Sequence, residues 1–104
     1  MGEEIDKMMR ELSASLKIIA GMNYLVGRVI MEEDAYRGIR NIATALQIYE
    51  FMENSHMIKR SNETISSNPI YDNYEKQKAI EDGRRNGLRF IEKFSEEIEL
   101  AEEK

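Results

Sequence analysis

The chain has 104 residues, 41% of them hydrophobic and 34% charged, with 20 acidic against 15 basic side chains and a formal net charge of −5. That length suits one domain around one core, and the negative balance works against non-specific binding to nucleic acid or anionic membrane. The absence of cysteine excludes disulfides, thiol catalysis and cysteine-ligated zinc or iron–sulfur centres, while one proline and six glycines argue against a turn-rich β architecture.

The first predicted element is a helix over residues 3–31. Ile5, Met8, Leu12, Ser15, Ile19, Met22, Val26 and Val29 alternate spacings of three and four, and only Ser15 is not apolar. Met9, Leu16 and Ile30 widen this face, and Ile18 and Leu25 point elsewhere, so the helix is apolar almost all round from Ile18 onward. Ser13, Ala20 and Gly27 form a second row of small side chains at seven-residue spacing. The most apolar stretch, Leu16 to Met31, contains Lys17, Asn23 and Arg28 and is too short and polar to span a bilayer. Glu3, Glu4 and Asp6 stand where a secretion signal would be basic, so the expected location is the cytoplasm.

The apolar pattern changes phase near Glu32, Glu33 and Asp34, which predicts a tight turn, or a kink as the alternative, with Asp34 as the N-cap of a second helix over 34–58. Its apolar face comprises Ala35, Ile39, Ile42, Leu46 and Tyr49, with Ala45, Ile48 and Met52 beside it. A loop is predicted over 60–68, where SNETISSN is rich in side chains that bond to nearby backbone. Asn68-Pro69, or Asp72 with Glu75 as a capping box, then starts a third helix over 69–102. Its buried face is predicted to hold Tyr74, Ile80, Gly87, Ile91, Phe94, Ile98 and Ala101, with Leu88 and Phe90 alongside. The predicted fold is all-α, one domain over 1–104: a three-helix antiparallel bundle, or a helical hairpin plus a C-terminal helix. The width of the first apolar face further predicts a homodimer or higher oligomer.

Gly83-Arg84-Arg85-Asn86-Gly87 lies inside the third helix, where each glycine costs about 1 kcal/mol against alanine. Two readings account for the pair: close approach of another helix, within one chain or between two, or an anion-binding patch of Arg84, Arg85 and Arg89 around bare backbone. Glu53-x-x-His56 is half of a di-iron motif, and a dimer would have to supply the rest. Glu50-x-x-Glu53 with Asp72-x-x-Glu75 resembles the paired acidic motifs of all-helical, magnesium-binding nucleotide pyrophosphohydrolases of the MazG type, although the second pair has its acids in the reverse order. The run Ser95 to Lys104 is an acidic helix end, whose carboxylates oppose the helix dipole. It reads as a solvated tail or as a dock for a basic surface. No activated nucleophile, phosphate loop, dinucleotide fingerprint or helix-turn-helix spacing is present.

Asn68 to Phe94 (NPIYDNYEKQKAIEDGRRNGLRFIEKF) resembles the C-terminal segment of a family of small helical proteins encoded by tailed phages. In that family an acidic residue, a glycine, Arg or Gln, and an arginine precede an apolar helix end, as Glu81 to Ile91 do here with Asp82 interposed. The resemblance covers about a quarter of the chain. It implies a phage or prophage origin, where such proteins serve virion assembly or counter host defences, and it implies no chemistry.

Three functions follow as expectations. The first is a non-enzymatic interaction protein that self-associates and binds a protein partner, with Leu12, Ile19, Met22, Val26, Gly83 and Gly87 at the interface and no cofactor or metal. The second is an oligomer of the sponge type that binds a small phosphorylated ligand through Arg84, Arg85 and Arg89, with Tyr71 or Tyr74 stacking on a base. The third is a magnesium-dependent nucleotide hydrolase working through Glu50 and Glu53.

Overall fold

A computed structural model describes residues 2–68 and 73–103. The described chain is all-helical and has four helices, not three: α1 (Gly2–Ile30), α2 (Ala35–Phe51), α3 (Ser55–Ser67) and α4 (Asn73–Glu103). They form an elongated body measuring 53 × 21 × 20 Å. No helix among the described residues is long and apolar enough to cross a membrane.

The turn at 31–34 forms where the apolar phase breaks. Asp34 caps α2, its carboxylate accepting from the Arg37 N–H at 3.2 Å, and satisfies a backbone donor that the first turn leaves open. The second helix stops earlier than its apolar pattern suggests. At its end the Asn54 N–H reaches back to the Tyr49 carbonyl and the Glu53 N–H to that of Glu50. This is the pairing that closes a helix around a left-handed residue. Glu53 takes that conformation, with φ 57°, where glycine would be usual. Asn54 then caps α3, accepting from the Met57 N–H at 3.1 Å.

The left-handed Glu53 makes a prediction. Glu53→Gly relieves a strain of about 1–2 kcal/mol and gives back part of it as unfolded-state entropy. Urea unfolding should therefore show a net gain of about 0.5–1 kcal/mol with an unchanged slope. A loss of stability would refute the turn geometry.

The predicted loop over 60–68 is the second half of α3. Its side chains do bond to backbone, but within the helix: Thr64 Oγ1 donates to the Arg60 carbonyl at 2.8 Å and Ser67 Oγ to the Thr64 carbonyl at 3.1 Å. Met57, Ile58, Ser61 and Ile65 share the inward face, and Ser61 and Ile65 are buried. The proposed helix starts at Asn68-Pro69 and Asp72 involve positions outside the described residues.

This extra helix changes the topology. It returns the chain along α2, so that α4 runs parallel to α2 instead of antiparallel. Asp82 meets Tyr36, Gly83 lies at Arg40 and Ala43, Gly87 at Thr44 and Gln47, and Phe94 meets Phe51. α2 is the central helix and packs against the other three. Ile39, Ile42, Ala43, Thr44, Ala45, Leu46 and Ile48 in it are almost wholly removed from solvent. α1 contributes Leu16, Ala20, Tyr24 and Gly27, so Ala20 and Gly27 of the predicted row of small residues lie deeper than the seven-residue series, while Ser13 of that row is exposed.

On α4 the buried positions are Ala79, Gly83 and Gly87. Ile80, Phe90, Ile91 and Phe94 are partly buried against the core, whereas Tyr74 and Leu88, predicted to face inward, are exposed.

Candidate functional site

Gly83 and Gly87 belong to the interior of the subunit. A Cβ built on Gly83 would press on the Arg40 carbonyl oxygen and lie 2.6 Å from Ala43 Cβ; one on Gly87 would lie 2.7 Å from Gln47 Cβ and 2.8 Å from the Thr44 oxygen. Both therefore let α4 approach α2 of the same chain, and neither offers a surface to a second one. Thr44 Oγ1 seals the crossing, lying 2.9 Å from the Arg40 carbonyl and 3.0 Å from that of Gly83.

The arginines assigned to an anion site separate. Arg84 turns to one side and makes a two-pronged ion pair with Glu50: Nη1 to Oε2 and Nη2 to Oε1, both 2.9 Å, with Nη1 also donating to Gln47 Oε1 at 2.8 Å. The Arg84 hydrogen bond holds the Glu50 carboxyl below its usual range, while the same bond raises Arg84. Arg84 is thereby neutralised as an anion ligand. Glu50 has both oxygens committed to a cation and is a poor magnesium ligand.

Glu53 sits in the turn, His56 is exposed, and Asp72 lies outside the described residues. No group of three or more His, Cys, Asp or Glu side chains arranged to hold a metal occurs among the described residues.

Arg85 and Arg89 point the other way. Together with Arg40 and Asn41 of α2 and Asp82 and Asn86 of α4 they line a polar depression of about 340 Å³. Tyr36 Oη donates to Asp82 Oδ2, a bond that raises the phenol pKa. Arg85 Nη1 lies 3.4 Å from Asp82 Oδ1. Tyr74 is 75% exposed and not part of this depression; at 1.5 Å per residue it starts about 16 Å along the axis from Arg85. Tyr71 lies outside the described residues. Arg40 and Tyr36, on another helix, escaped sequence reading because only the parallel α2–α4 crossing brings them to this face.

The predicted α1 seam also divides. Leu12 and Ile19 are half-buried and, with Leu16, Phe90 and Phe94, line an apolar groove of about 160 Å³ between α1 and α4. Met22 and Val26 are free. The side chains exposed beside them are Ile18, Leu25 and Val29: the five stand 60% (Met22), 45% (Val26), 62% (Ile18), 61% (Leu25) and 74% (Val29) open. A strict seven-residue series drifts by about 20° per repeat around a straight helix. It therefore begins on the inner side at Ile5 and Met8 and ends in solvent at Val29. The resulting strip Ala14, Ile18, Met22, Leu25, Val29 lies opposite the buried face Leu16, Ala20, Tyr24, Gly27.

Comparison with protein-family models, with curated proteins and with solved structures returns no match for this chain.

Proposed function

We propose that this protein is a non-enzymatic helical interaction module that works as a homo-oligomer, minimally a dimer formed by α1, and presents the rest of its surface to a protein partner. The observation that carries the reading is the strip Ile18, Met22, Leu25 and Val29, left in solvent on the face of α1 opposite the core. Contiguous exposed apolar patches mark interaction surfaces.

A second copy of the chain is the occupant that best fits this strip. An antiparallel, two-fold pairing places the same patch on both sides. Centred between Met22 and Leu25, it sets Ile18 opposite Val29 and Met22 opposite Leu25, apolar against apolar throughout. The same register brings Lys17 of each copy within a turn of Glu32 and Glu33 of the other, so the ends of the strip are matched in charge.

The resemblance of Asn68–Phe94 to small tailed-phage proteins supplies the setting we propose: a phage-encoded protein in the host cytoplasm, acting in virion assembly or against host defences. The hydrolase reading is not retained, because Glu50 is held by Arg84.

Sedimentation equilibrium tests the assembly. The wild-type chain is expected at twice its 12.2 kDa mass or more at micromolar concentration. Met22→Glu/Leu25→Glu is expected at the single-chain mass with unchanged helical circular dichroism, because neither side chain supports the core. A wild-type protein at the single-chain mass would end this reading.

A further inference from the structure

Three guanidiniums against one carboxylate is an unusual local balance in a chain with 20 acidic and 15 basic residues. They do not share one helix. Arg85 and Arg89 are one turn apart on α4, about 6 Å between their Cβ atoms, and Arg40 faces them from α2. The single carboxylate, Asp82, is already shared between the Tyr36 hydroxyl and Arg85. Among the described residues Arg40 and Arg89 form no ion pair. Only one of the three cations is thus matched by a carboxylate, and a bound anion would supply charge to the other two.

The scaffold under these side chains is rigid. Gly83 and Gly87 bring α2 and α4 to backbone contact along the same crossing, and Thr44 ties the two helices there. Asn86 Nδ2 lies 3.4 Å from Thr44 Oγ1, which holds that amide to the floor. The backbone positions from which Arg40, Arg85 and Arg89 project are thus fixed by the fold, which sets all three around one depression.

We infer that the depression formed by Arg40, Asn41, Asp82, Arg85, Asn86 and Arg89 binds a small phosphate ester of nucleotide size. Planar guanidiniums match phosphoryl oxygens in two-pronged geometry. The volume of about 340 Å³ falls in the range of small-ligand pockets and exceeds what a bare phosphate fills. The Asn41 and Asn86 amides carry donors and acceptors suited to a base edge or a sugar hydroxyl, and the free Asp82 lone pairs accept from an exocyclic amine. A polynucleotide is the wrong ligand, since its backbone would run from this basic depression onto a molecule of net charge −5.

The test is calorimetric titration of the full chain at low salt with ADP, ribose 5-phosphate and inorganic phosphate. Amide and side-chain amide NMR shifts, followed in parallel, locate the binding. ADP is expected to bind and to shift the Asn41 and Asn86 side-chain amides, with inorganic phosphate weaker. Arg40→Gln and Arg89→Gln should each weaken ADP by roughly tenfold or more, the loss of one charge-assisted pair. Arg10→Gln, on α1 and outside the depression, should leave the affinity unchanged. Circular dichroism confirms that each variant folds. Absence of binding by all three probes overturns the proposal, as does wild-type ADP affinity in both arginine variants. Equal affinity for ADP and inorganic phosphate overturns the nucleotide assignment.

Discussion

Gly83→Ala is expected to cost the fold about 3 kcal/mol, the upper part of the range for overpacked sites, even though alanine is the better helix former by about 1 kcal/mol. The new methyl group would lie against the Arg40 carbonyl oxygen and 2.6 Å from Ala43 Cβ. A backbone oxygen inside a helix cannot swing aside as a side chain would, so α4 must lift from α2. Lifting breaks the 3.0 Å contact between Thr44 Oγ1 and the Gly83 carbonyl that ties the two helices together. Gly83→Leu should not fold at all, because domains of this size hold only about 5–15 kcal/mol in total.

Gly21 supplies the control. There a Cβ would meet only Tyr49 Oη at 3.9 Å, and Gly21→Ala should gain about 0.5–1 kcal/mol from helix entropy alone. Urea midpoints of the two variants should fall on opposite sides of the wild type. A Gly83→Ala midpoint at or above wild type would contradict the close crossing.

The two glycines show where sequence reading succeeds and where it stops. A pair of helical glycines four residues apart announces a close approach, and the approach is there. What the sequence left open was the identity of the opposing helix, because composition carries no information about partners. The answer depended on α3. Its SNETISSN segment has the residues of a loop, and the Ile58, Ser61, Ile65 face that makes it a helix contains too few apolar groups to stand out. Missing α3 reverses the direction of α4 and conceals Arg40 from Arg85 and Arg89. Local chemistry was legible wherever a side chain acts on its own neighbourhood, as at the Asp34 cap. It was not legible where two distant residues meet, as Arg84 does with Glu50. Nor did the sequence distinguish a free cation from a paired one, which is why the arginine run groups Arg84, paired with Glu50, with Arg85 and Arg89 and leaves out Arg40, which lines the same depression as those two.

Leu46 and Leu25 test the division of apolar surface between core and interface with one and the same substitution. Leu46 is 1% exposed at the centre of α2, near Ile65 and Ile80, and Leu25 is 61% exposed on α1. Leu46→Ala removes side-chain atoms that are almost wholly buried and should cost about 2–5 kcal/mol at every protein concentration. Leu25→Ala removes a side chain that supports nothing within the subunit, so in dilute solution its midpoint should lie within about 0.5 kcal/mol of wild type. The two should diverge as concentration rises. Association stabilises only the folded chain, and by an amount that grows with protomer concentration. The wild-type midpoint should therefore climb on concentrating the sample, and the Leu25→Ala midpoint should climb less. A Leu25→Ala loss as large as that of Leu46→Ala in dilute solution would show that α1 is covered by its own chain. A wild-type midpoint that stays constant with concentration would remove the second copy from the strip, leaving Ile18, Met22, Leu25 and Val29 to a different molecule.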